Sequence, residues 1–316
     1  MPTPIVSYVM PAYNAADRIH IPLQALARQT GIVPAFFEIV IVDNASTDCT
    51  ADTADTLPAT QSLRNAGISV RIVREERPGL THARLRGVAE SCGPLICFLD
   101  DDTEPGPEYT QTGIAALANP ARGLLISSIY PVYAQPPSPA IERFAHHLAI
   151  NANLGDREII YPGTPSLAPT VGAGMWVRRS AFLESVPVNN PESLLPDRLG
   201  SNLTSCGDTE IGYLIGKAGW ERVFVPTLRL GHHIPARRLT TSYLVRLIDA
   251  SIRSEMTLRQ KYFGSAGMAK LRAKSFSRWI RTLLLLPFAM LLQRDGLRET
   301  LLKAAQHRAY ARGPFR

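Results

Sequence analysis

Five short runs rich in Val, Ile and Leu recur over the first 130 residues, at 5–10, 39–42, 70–73, 95–99 and 124–129, each bounded by polar or turn residues. Runs that are apolar on both faces and too short for helices are expected as strands of a parallel sheet covered on both sides. The segments between them, 17–29, 47–63, 80–91 and 106–118, are long enough to be crossover helices, with Pro22 beginning or kinking the first. In such a βαβ series, ligands belong in the crevice beyond the carboxyl ends of the strands. Three polar clusters fall there: Pro11, Ala12, Tyr13 and Asn14; the segment from Asp43 to Asp48; and the segment from Asp100 to Glu104, which opens with Asp100, Asp101 and Asp102. Further on, the proline-rich stretch 131–139 reads as a loop or linker that neither a helix nor a central strand continues through. A strand is expected at 171–177 and a helix from Asp208 to about Ala218, closed by Gly219.

Three carboxylates at one strand end repel one another unless a cation sits among them. Oxygen ligands of this kind suit magnesium or manganese, which commonly take one or two protein carboxylates and complete their shells with phosphate and water. A solvated acidic turn is the other reading of the triple Asp. Asp43 can accept hydrogen bonds from a nucleotide base or ribose, or form a turn with Asn44 and Ser46, while Asp48 reads as a helix cap. No GxxxxGK[ST] occurs and no GxGxxG follows the first run, so a nucleotide diphosphate would need the three strand ends to converge. Gly172 and Gly174 suggest close backbone approach to a ligand. Trp176 beside them is a neighbour of an acceptor or a core aromatic, and Trp220 reads as core.

The order MPAYNAADRI, VDNASTD, RPGLTHARLRG, FLDDD, VGAGMWVRR and GDTEIGYLIGKAGW, followed by a His, resembles glycosyltransferase family 2 over about residues 3–235. The resemblance implies an α/β GT-A fold, a Rossmann-like and mainly parallel sheet flanked by helices. It implies a nucleotide-diphosphate sugar donor, inverting transfer, and a donor site that includes Pro11, Ala12, Tyr13 and Asn14. It further implies Asp43 at the nucleotide base, Asp102 as ligand of a divalent cation (Mn2+ or Mg2+), Asp100 or Asp101 near the ribose or donor sugar, and Arg84 organising the donor site. Asp208 matches the family's general base, although Gly207 precedes it where the family often has Glu. A cap for its own helix is the plainer role for Asp208. His232, just ahead of His233 and the Ile-Pro pair, matches a family His that completes the metal shell or binds the diphosphate. The acceptor is expected to be the hydroxyl of a glycan or of a lipid-linked molecule.

Charge divides the chain. Residues 1–229 carry 17 basic and 23 acidic side chains, whereas 230–316 carry 17 basic and 4 acidic. The chain is therefore read as a catalytic domain over 1–235 and a basic helical extension over 236–316. Within the extension, the uncharged stretch 282–293 is too short to span a bilayer, and Lys and Arg flank it. An interfacial helix on an anionic membrane is one reading, and a helix buried against the catalytic domain or a second subunit is the other. At 45% hydrophobic and 19% charged, the 316 residues exclude a mainly disordered chain. Four cysteines without a CxxC pair, and an N-terminus unlike a signal peptide, lead to an expectation of a cytoplasmic protein, peripheral on the cytoplasmic face of the membrane. A sugar-phosphate nucleotidyltransferase is a rival enzyme, but the glycine-rich basic loop such enzymes carry after their first strand has no counterpart at 12–17. A basic membrane or nucleic-acid adaptor is the non-catalytic rival. Three acidic strand ends speak against nucleic acid at that edge.

Overall fold

The computed structural model describes residues 3–33, 36–198, 203–289 and 294–315. Four parallel strands, β1 (Val6–Ala12), β2 (Phe37–Asn44), β3 (Ser69–Glu75) and β4 (Leu95–Phe98), stand in the order β3-β2-β1-β4. β1, β2 and β4 are buried along their whole length, which explains their unbroken apolar runs, while β3 at the end of the row is only partly buried. The crossovers are α1 (His20–Ala27), α2 (Thr50–Thr56), α3 (Pro58–Asn65) and α4 (Leu80–Glu90). Pro22 lies in the first turn of α1, where its missing N–H costs no helical bond. The single helix expected at 47–63 is two, because Leu57 is extended (ψ 137°) ahead of Pro58, which opens the next.

The sheet continues past β4 through strands of mixed direction. β5 (Thr103–Pro105), α5 (Tyr109–Ala116), β6 (Arg122–Tyr133), α6 (Pro139–Glu142), β7 (Ile159–Tyr161), β8 (Met175–Arg178), α7 (Arg179–Ser185), α8 (Gly207–Lys217) and β9 (Glu221–Ile234) follow along the chain. Among the described residues the sheet has nine strands, ordered β3-β2-β1-β4-β8-β6-β9-β5, with β7 on β9. The run at 124–129 thus does not extend the parallel row. β8 is inserted between β4 and β6 and is antiparallel to both, pairing Ile96 with Val177 and Leu124 with Val177. The strand expected at 171–177 shortens to four residues, and 171–174 forms a turn. Pro131 falls inside β6 rather than ending it, since an extended backbone already suits its fixed φ. Phe98, Leu124, Ile126, Met175, Val177, Phe182, Ile215 and Phe224 form the core under this sheet.

The chain divides into two compact units, one made of Met1–Pro131, Asn151–Pro196 and Gly207–His233, the other of Val132–Ile150, Asp197–Cys206 and Ile234–Arg316. A single cut at residue 235 therefore leaves out two stretches that belong with the C-terminal helices. In that second unit, α9 (Thr241–Phe263) packs Ile248, Ile252 and Met256 with Leu302, Ala305 and Ala309 of α12 (Arg294–Arg312). α10 (Met268–Leu284) also lies along α12, and α11 (Leu286–Ala289) follows it. Of the apolar stretch 282–293, residues 290–293 lie outside the described residues. Among the described residues no helix is long and apolar enough to cross a membrane.

Candidate active site

The parallel register sets the first part of the site. Ala12 on β1, Asp43 on β2 and Arg74 on β3 are neighbours in one row at the carboxyl ends of their strands. Asp43 is buried; its Oδ1 accepts the Ser46 N–H at 3.2 Å and its Oδ2 pairs with Arg74 Nη1 at 3.1 Å. Pro11 and Ala12 are buried, whereas Tyr13 is exposed. Asn14 fastens two loops together: its N–H donates to Ser46 Oγ (3.1 Å) and its Oδ1 accepts the Thr47 N–H (2.8 Å). Asp48 accepts the N–H groups of Thr50 and Ala16 and so ties the start of α2 to the loop after β1. The N-cap position is Cys49, which makes no side-chain cap bond, so Asp48 is not the helix cap expected of it. Asn44 in turn takes the Gly79 N–H at 2.8 Å, and Gly79, at φ +126°, makes the turn from which α4 starts.

The second part is the acidic strand end. Asp101 is held in a two-pronged pair by Arg18, Nε to Oδ1 at 2.8 Å and Nη2 to Oδ2 at 2.9 Å. The same guanidinium donates to the carbonyls of Asn14 and Tyr13, so it ties the β1 loop to the acidic turn. Burial disfavours its charge, yet Asp101 outweighs that and holds Arg18 above its ordinary pKa. Both oxygens of Asp101 are thus committed. Asp102 is buried and immediately precedes Thr103, the β5 residue paired with His232 of β9; its Oδ1 is 3.5 Å from His232 Nε2. His233 is directed elsewhere, its Nε2 2.9 Å from Glu104 Oε2.

The third part comes from α4, α8 and the turn before β8. Asp208, in the first turn of α8, accepts the Gly172 N–H on Oδ2 and the Thr209 N–H on Oδ1, both at 2.7 Å. Arg84 on α4 is 2% exposed, and its guanidinium occupies the place where a Cβ on residue 172 would stand, so a side chain there would have to displace it. Glu210 is fully buried and accepts the Leu195 N–H at 2.6 Å, a bond that anchors a loop. Trp176 is fully buried against Tyr8 and Tyr109 and belongs to the core, and Trp220 packs against the core from the side.

Electrostatics bind these parts into one cluster. Burial raises the Asp100 carboxyl above its ordinary value; Asp102 and Asp208 act in the same direction, and Arg84 and His232 oppose them. Asp101 rises to about 7 through burial and the adjacent Asp102, in spite of Arg18. Asp100, Asp102, Asp208, Arg84 and His232 therefore share one field, with Asp43 and Arg74 farther along the same edge of the sheet. Among the described residues no group of three or more His, Cys, Asp or Glu is arranged to hold a metal ion. Asp102 with His232 supplies one carboxylate oxygen and one imidazole nitrogen. That donor set fits a hard divalent cation whose other positions are filled by phosphate and water. Arg18 and Arg74 are the residues that the sequence reading missed. Their only trace in the sequence is the demand of clustered carboxylates for a counter-charge.

The sequence model of the family described as Glycosyl transferase family 2 matches residues 7–185. Over 120 residues the chain is 36% identical to validoxylamine A glucosyltransferase of Streptomyces hygroscopicus subsp. limoneus, covering 37% of this chain and 25% of that enzyme. Over 112 residues it is 34% identical to the amylovoran biosynthesis glycosyltransferase AmsB of Erwinia amylovora, covering 35% of each. The chain thus spans between 25% and 35% of the length of these curated relatives. Among solved structures it is similar to the mannosyltransferase PcManGT from Pyrobaculum calidifontis in complex with GDP-Man and Mn2+. The TM-score is 0.59 at 18% identity, over 98% of this chain and 87% of that one. The likeness is one of fold, the GT-A arrangement of a mainly parallel sheet flanked by helices.

Proposed function

The chain belongs to glycosyl transferase family 2, and from that premise we propose that it moves a sugar from a nucleotide-diphosphate donor to an acceptor hydroxyl with inversion at the anomeric carbon. The observation that carries this reading is the convergence of Asp100, Asp102, His232, Arg84 and Asp208 in one partly buried field at the carboxyl edge of the sheet. Asp208 takes the proton from the acceptor hydroxyl. As that oxygen bonds to the anomeric carbon, the bond from the carbon to the diphosphate oxygen breaks, and its electron pair leaves with the diphosphate. Two backbone N–H groups keep the Asp208 carboxylate oriented, and Arg84 balances its charge against Asp100. Asp102 and His232 would hold a divalent cation, and the charge of that ion would stabilise the departing diphosphate. Asp43 and Arg74 meet the nucleobase, one accepting and one donating. Asp100 serves the ribose or donor sugar, whereas Asp101, with both oxygens on Arg18, keeps the turn in place.

The acceptor in this reading is a glycan or a lipid-linked molecule, and the enzyme works beside an anionic membrane at its cytoplasmic face. A relative assigned to amylovoran biosynthesis is in keeping with a glycan product. Titrating the chain calorimetrically with a panel of nucleotide-diphosphate sugars, with and without Mn2+, tests the donor half. One donor should bind in a Mn2+-dependent manner, and Asp102→Ala should lose that dependence. Binding of equal strength with and without the ion in both proteins would remove Asp102 from the site.

A further inference from the structure

α10 is amphipathic in the reverse of the usual sense. A helix that merely packs against its own domain buries its apolar stripe and exposes its polar one. On α10 the buried position is Ser275, while Phe276, Ile280 and Leu284, spaced four residues apart and so on one face, are 52%, 39% and 68% exposed. Leu285, just past the end of the helix, is 58% exposed. Beside this stripe runs a second one, Lys270, Lys274, Arg278 and Arg281, and with Arg272 the helix carries five basic residues and no acidic one. Trp279 stands next to Phe276, ring centroids 5.8 Å apart.

We propose that α10 lies in the plane of an anionic lipid surface, with Phe276, Ile280 and Leu284 entering the boundary between headgroups and acyl chains and the Lys and Arg stripe on the headgroups. This placement rests on the membrane-side reading above and assigns it to one helix face. The charge pattern selects the occupant. A second copy of the chain docked on the same face would set two rows of unbalanced cations against each other. An anionic surface neutralises them and accepts the apolar side chains at the same time. The apolar contact therefore begins at Phe276, upstream of the uncharged stretch 282–293.

The test is flotation of the full chain with vesicles of phosphatidylcholine alone and of phosphatidylcholine containing phosphatidylglycerol, together with Trp fluorescence. The wild type should float with the anionic vesicles and show a blue shift that disappears in Trp279→Phe. Replacing Phe276, Ile280 and Leu284 together by Ser, at exposed positions, should weaken partitioning by at least about a hundredfold. Lys270→Gln with Lys274→Gln should weaken it about twentyfold. Undiminished flotation of the Ser variant would overturn the assignment to α10 while leaving the membrane-side reading intact. No flotation of the wild type on either vesicle would overturn both. If the wild type instead formed a dimer in sedimentation that the Ser variant abolished, the face would belong to a second copy.

Discussion

The strand-end site and α10 handle charge in opposite ways. At the strand ends, Asp43, Asp101 and Asp208 each have both carboxylate oxygens engaged by an arginine or a backbone N–H, and Arg84 is buried beside Asp208 and Gly172. On α10, five cations stand without a single acidic residue in the helix, next to apolar side chains left in water. Charges locked in a fixed, partly desolvated frame cost no reorganisation when new charge develops, which is what a reaction centre requires. Exposed charges on one surface act at longer range, on an extended partner, and salt screens them. The first arrangement suits the proposed small anionic donor, and the second the proposed anionic surface.

The largest expected effect removes the proposed base and keeps the frame. Asp208→Asn should lower the rate of transfer by at least about a hundredfold, the low end for a positioned general base. Calorimetry should show donor affinity unchanged, since the amide oxygen can still accept one of the N–H bonds. Turnover near the wild-type rate with an identified acceptor would place the base elsewhere and leave Asp208 as a helix cap. A smaller effect should follow from disturbing the frame alone. Gly172→Ala puts a methyl group where the Arg84 guanidinium lies. Displacing that buried cation should cost about tenfold in transfer, within the range for an overpacked site of ~1–3 kcal/mol. Circular dichroism should report an intact fold.

How far the sequence could be read follows the same division. The buried strands were legible because burial on both faces leaves unbroken apolar runs, and the strand-end places of Asp43 and Asp100 to Asp102 followed from where those runs stop. Asp208, by contrast, was singled out by the match of its segment to the family, since an acid that starts a helix is otherwise an ordinary cap. The antiparallel insertion of β8 was not, since a four-residue strand between two glycines and a helix leaves almost no periodic signal. Nor could spacing reveal that Arg18 reaches across 83 residues to Asp101, or that Arg74 closes on Asp43. Such pairs are set by sheet order, which local pattern does not encode. On α10 the composition was visible, but which side of the helix faces its neighbour depends on packing with α12.

Proton linkage distinguishes the two regions more finely. The Asp101 carboxyl sits at about 7 in the folded chain, against roughly 3.9 when unfolded. A raised value means that the protonated form favours the fold. That contribution is fully present below about pH 4 and is lost as the pH climbs to about 7. In buffer free of divalent cations, the stability of the wild type relative to Asp101→Asn should therefore fall across that window. Chemical denaturation at a series of pH values reads the difference. A flat difference would mean that Arg18 keeps Asp101 ionised throughout, and the acidic turn would then carry no proton-linked strain.

The smallest effect concerns salt, and it separates the regions without any mutation. The cations of α10 are exposed, so their attraction to the proposed lipid surface would be screened over about 8 Å at physiological ionic strength and about 3 Å at 1 M. Attachment to anionic vesicles should weaken several-fold between these conditions. The ion pair of Arg18 with Asp101 has far less room for counterions, its side chains being 21% and 13% exposed. Donor binding measured without vesicles should change by less than about twofold over the same range once the activity of the divalent ion is held constant. Equal salt sensitivity of both measurements would mean that the strand-end site is as open to counterions as α10. The contrast between a desolvated frame and a screened surface would then fail at its more important end, because the preorganisation assigned to Asp208, Arg84 and Asp100 depends on water being kept from that edge of the sheet.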